Sequence, residues 1–176
     1  MNDLPLHPVL VHLPIALAVI LPPATALTLL AWVRGWLPRR TWFGVVALQA
    51  TLLLSGFLAS RTGEADEERV ERVVPEARIE AHEEAAEQFL WVAGVVLLLA
   101  AGTAMARSER LGRSLAVVTL LGTLAVAWAG YRVGHAGGAL VYRHGAAQVF
   151  VDAAAQGQPI GGSLWGGEGE HDDDDD

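Results

Sequence analysis

The chain has 176 residues, 52% of them hydrophobic and 18% charged, with a formal net charge of −8 and a mean hydropathy of +0.35. That length suits one compact domain, and so little charge excludes an ordinary soluble one. The acidic balance excludes nucleic acid as a partner, and the absence of cysteine excludes disulfides, thiolate metal sites and cysteine-held iron–sulfur clusters.

Charge is withdrawn from four stretches. Residues 4–33, 41–60, 88–106 and 114–131 contain no Asp, Glu, Lys or Arg. A helix needs roughly 20 apolar residues to cross a hydrocarbon core of about 30 Å. The expected fold is therefore all-α: an integral membrane four-helix bundle, with the lipid bilayer as its first partner. The predicted transmembrane domain covers residues 1–150, with helices over about 8–33, 42–60, 76–106 and 114–135.

The first helix opens on His7-Pro8-Val9-Leu10-Val11-His12-Leu13-Pro14. Residues 1–13 hold no Lys or Arg and the apolar run is long, so it reads as a retained helix rather than a cleaved signal sequence. Pro8 suits a first turn. Pro14, Pro22 and Pro23 each remove a backbone bond that lipid cannot replace, which predicts a kinked, centrally packed helix with its bend near Ala18–Val19. The link 34–40 carries three arginines, and Trp32, Trp36 and Trp42 flank it as an interface belt.

In the second helix Gln49 is the one strongly polar side chain, expected to face a neighbouring helix. Residues 61–87 then hold ten acids and four arginines. Val70, Val73, Val74 and Ala77 recur at helical spacing until Pro75 interrupts, which predicts a short amphipathic helix at the surface. A further helix from about Glu76 leads into the third span. The link 107–113 again has three arginines, and Gly130, Gly134 and Gly138 recur every four residues around the end of the fourth span. Residues 151–176 are expected to form a Gly-rich acidic disordered tail.

Dense arginine in the two short links places them in the cytoplasm of a bacterial inner membrane, with both termini outside. That topology puts every histidine on the outer side. His12, His82 and His135 come within roughly two helical turns of one boundary on three different helices. Neutral imidazole ligates haem iron, zinc and copper, and facing bundle helices can hold a cofactor between them. The expected cofactor is haem b, with His12 and His135 as the axial pair and His82 as substitute. Arg132 and Arg143 would meet its propionates, and the glycines would give the macrocycle room. A zinc or copper site on His7, His12, His82 and His135 is the alternative. A purely structural role stands beside both, since imidazole is at home at a membrane interface. His82 lacks a Glu three residues earlier, which removes the di-iron Glu-x-x-His pattern. No nucleophile elbow, phosphate-cradling loop or intramembrane acid is present, so no hydrolase, kinase or transporter signature remains.

Four segments resemble a family of predicted bacterial membrane proteins classed as a domain of unknown function. They are the opening His-Pro-x-x-Val-His-x-Pro (His7 to Pro14), Thr62-Gly63, His82-Glu83, and Gly-Gly-x-Leu-Val-Tyr-x-x-Gly (Gly137 to Gly145). The resemblance covers about residues 5–150 and implies a four-helix membrane domain. Relatives joined to cytochrome c-like or Rieske-type modules imply a redox setting and a redox partner at the outer face. This chain carries no such module, so a non-catalytic membrane scaffold or partner subunit, docking through its acidic outer segments, is the other reading.

Overall fold

The computed structural model describes residues 7–157, with the backbone alone for residues 65–69. The described residues form helices and no strand. After a single turn, α1 (His7–Leu10), come α2 (His12–Val33), a 3-10 turn at Arg39–Thr41, α3 (Trp42–Val70), α4 (Glu76–Met105), α5 (Glu109–His144) and α6 (Ala146–Ala155). Four segments, His7–Val33, Arg39–Glu64, Glu76–Met105 and Glu109–His144, are long and apolar enough to cross a membrane.

The interruption between α1 and α2 falls at Val11. Its cause is Pro14, which has no N–H to offer the Leu10 carbonyl. Helix α2 then continues unbroken through Pro22 and Pro23, both lying inside it. Helix α2 packs against α3 and α5, α3 against α4, and α4 against α5, closing a ring of four. Leu17, Ala18, Leu21, Leu52, Phe89, Ala93, Val96 and Val126 fill its centre. Leu27, Leu54, Trp91, Leu98, Leu121 and Trp128 point outward and stay exposed, as lipid-facing side chains do.

The helices overrun the spans expected of them. Helix α3 does not stop near residue 60 to make room for a separate surface helix; it runs on to Val70. The segment from Arg61 is rich in Glu, Ala and Arg, all good helix formers, so charge moves it out of lipid without ending the helix. Pro75 ends the run of helix and caps α4. Helix α5 begins at Glu109 rather than near Ser114 because the Ser108 side chain accepts the Leu111 N–H at 3.2 Å. It passes through Gly134, Gly137 and Gly138 and stops only at Gly145, whose φ of +73° is the left-handed conformation that closes a helix. Its 36 residues make about 54 Å at about 1.5 Å each, well beyond a hydrocarbon core of about 30 Å.

The surplus lies at the histidine end, since the charge-free parts of α3, α4 and α5 sit nearer the arginine end. There Val74, Ile79 and Ala146 form a second small core with Val70 and Leu140. That core explains α6. Residues 151–155, which composition places in the tail, are helical because the chain after Gly145 folds back onto α5 and α3. The remainder of the expected tail, from residue 158 and including His171, lies outside the described residues.

Candidate functional site at the histidine end

His7 starts α1, and its ring lies against the end of α3. Its Nδ1 is 2.8 Å from the Ala59 carbonyl oxygen. A carbonyl can only accept, so Nδ1 carries the proton, and a neutral ring keeps its free lone pair on Nε2. The same carbonyl accepts the Thr62 hydroxyl at 2.9 Å. Gly63 makes the approach possible: a Cβ there would stand 3.2 Å from both Cε1 and Nδ1 of His7. Thr62 and Gly63 are thus the floor under one imidazole.

His82 stands in the second turn of α4, half-buried, against α5. A Cβ on Gly137 would meet its Cε1 at 3.1 Å, Nδ1 at 3.5 Å and Nε2 at 3.7 Å, so the ring lies across that glycine. The Val133 backbone, one turn earlier on the same helix, also faces it. His82 Nδ1 is buried and has no hydrogen-bond partner. His7 and His82 are thus each laid on a glycine of a different helix, at the same end of the bundle.

The other expected ligands stand elsewhere. His12 is exposed on α2. His135 is exposed on α5 and stacks on Tyr131 with 6.0 Å between ring centroids, and Tyr131 stacks on Trp128 at 5.6 Å. Two residues separate His135 from Gly137, roughly 200° around an α-helix at 3.6 residues per turn, so they occupy opposite faces. Beside His135 an open groove of about 280 Å³ is lined by Gly134, Gly138, Ala139, Tyr142 and Arg143. Arg132 donates from Nη1 to Gln88 Oε1 at 3.0 Å. Among the described residues no three or more His, Asp or Glu side chains gather as a metal-holding group.

Chemically, an imidazole in its neutral form presents one lone pair to a metal or to a hydrogen-bond donor. The residues that sequence reasoning did not assign are the supports: the Ala59 carbonyl, Thr62, Gly63 and Gly137. Three of these, Thr62, Gly63 and Gly137, belong to the family-like segments named above, and that membership was the signal available.

All four of those segments, up to 130 positions apart in the chain, contribute a residue to these two pairs, His7 with Gly63 and His82 with Gly137. No curated protein and no solved structure matches the chain. A family model described as "Predicted membrane protein (DUF2231)" matches residues 3–149, and the chain belongs to that family of membrane proteins.

Proposed function

We propose that His7 and His82 ligate a metal centre on the outer side of a bacterial inner membrane, and that the centre is haem b serving electron transfer. The observation that carries this reading is the pair of nitrogens: His7 is held by Nδ1–H so that Nε2 is free, and His82 Nδ1 is buried without a partner. A ring N–H donated to a backbone carbonyl is the orienting bond that metal-ligating histidines make. Two imidazoles match the axial set of a haem, whereas zinc takes three or four protein ligands. Haem bound there would pass single electrons. The chain's own part is to fix both rings and supply arginines at the same end of α5, Arg132 and Arg143, for carboxylates. Arginine-dense links at the opposite end support placing the histidine end outside the cytoplasm.

Protein purified in detergent after haem-replete expression should show a Soret band and one haem per chain. His7→Ala and His82→Ala should each lose it, whereas His12→Ala and His135→Ala should keep it. Copper or zinc at one per chain, lost in the same two variants, would replace haem with a simpler metal. A spectrum without a Soret band together with a metal-free analysis would sink the reading.

A second reading rests on Glu76, Glu80, Glu84 and Glu87, which stand exposed where α4 projects beyond its apolar part. They offer a docking face for a basic partner protein, and the chain would then be a scaffold or subunit. Co-purification of a stoichiometric partner that is lost on charge reversal of these four would favour it.

A further inference from the structure

Inside the bundle, far from the histidines, three buried polar atoms have no hydrogen-bond partner: Thr25 Oγ1, Gln49 Oε1 and Trp42 Nε1. All three side chains are fully buried. Leaving such groups unpaired in a membrane interior is costly, so native structures supply a partner or a water.

Their positions are related. Trp32 of α2 meets Trp42 of α3 edge to face, 6.2 Å between centroids, which fixes the register of these antiparallel helices. Thr25 stands seven residues before Trp32, and Gln49 stands seven residues after Trp42. Seven residues are nearly two full turns and a rise of about 10 Å. Thr25 and Gln49 therefore lie at one level, on the faces that α2 and α3 turn toward each other.

Their chemistry is complementary but unjoined. Gln49 donates its Nε2 to the Ala93 carbonyl at 3.0 Å. That carbonyl demands a donor, so the amide orientation is set and Oε1 is left as an acceptor. The Thr25 hydroxyl has a proton to give. No direct bond joins the two atoms. On α4 this level is occupied by Ala93, whose side chain carries no polar atom to pair with either group. Pro22 has no N–H, so the Ala18 carbonyl on the same stripe of α2 is a further acceptor.

We propose that Thr25 and Gln49 form an internal water site in the membrane bundle, in which water accepts the Thr25 hydroxyl proton and donates to Gln49 Oε1. A buried water needs two to four polar partners, and this seam provides them.

Water-edited solid-state NMR of the full chain in lipid bilayers tests this. Transfer from water to the Gln49 side-chain amide should stand well above transfer to the methyls of Leu21 and Leu52, which are fully buried one turn away. In Thr25→Val it should fall to the leucine level, and in Thr25→Ser it should return. A Gln49 as dry as the leucines in the unaltered protein overturns the site, whatever the variants do. Gln49 remaining wet in a folded Thr25→Val removes Thr25 from it and overturns the bridge.

Discussion

The two ends of the bundle use one device for different purposes. At the arginine end Trp32 is pressed onto Gly112, where a Cβ would come within 2.9 Å of its Cη2, and Trp42 closes over it. At the histidine end His7 lies on Gly63 and His82 on Gly137. In each case a ring from one helix rests on the bare backbone of another. The tryptophans are deeply buried, and the pair seals the bundle. The imidazoles are half-buried. Tight ring-on-glycine packing therefore serves stability at one end, and at the other it positions the two rings on which the proposed ligation depends.

Substitutions of the glycines can break that contrast. The largest stability effect should come from Gly112→Ala. The new methyl would be trapped between Trp32 and the Ala106 Cβ, 3.3 Å away on the other side. Overpacking of about 1–3 kcal/mol exceeds the helix-propensity gain of about 1 kcal/mol on leaving glycine. Thermal unfolding in detergent should shift down, and an unchanged midpoint would show that Trp32 is not the seal described here.

Gly137→Ala and Gly63→Ala should cost less stability but more function. Their methyls would press on His82 and His7 at 3.1 and 3.2 Å, and a half-buried ring can tilt away. Unfolding should move by less than about 1 kcal/mol, because the propensity gain offsets the contact. Cofactor content, read by absorbance and metal analysis, should drop, more so for Gly63→Ala, which pushes on the Nδ1 held by Ala59. Full occupancy in both variants would detach the ring positions from binding.

The smallest effect belongs to Gly134→Ala and Gly138→Ala, where a Cβ meets nothing within 4 Å. Each should stabilise α5 by about 0.5–1 kcal/mol and leave the cofactor in place. Loss of cofactor there, rather than at Gly137, would return the site to the groove beside His135.

The spans were legible because desolvating a charge is so costly that four apolar stretches could be read off without any phase. The role of Gln49 was legible for the same reason: an amide in lipid must face a neighbour, and it bonds to Ala93. Helix ends were less so. Charge takes a helix out of lipid but does not terminate it, so α3 and α5 run on until Pro75 and Gly145 supply a real stop. Which histidines turn inward was not legible. Spacing puts His135 and Gly137 on opposite faces of a helix, but a helix that is apolar all round has no phase, so nothing in the linear order says which face meets a neighbour.

By itself, then, the sequence determined that this chain is a four-helix membrane protein, that its histidines gather at one end, and which four segments resemble the family. Tertiary structure decided the rest: that glycines at 63 and 137 receive the rings of His7 and His82 while His12 and His135 stay exposed, and that Thr25 and Gln49 share a level. Composition fixes transfer free energy residue by residue, whereas rotation and register are fixed only when side chains of one helix fill the gaps of another.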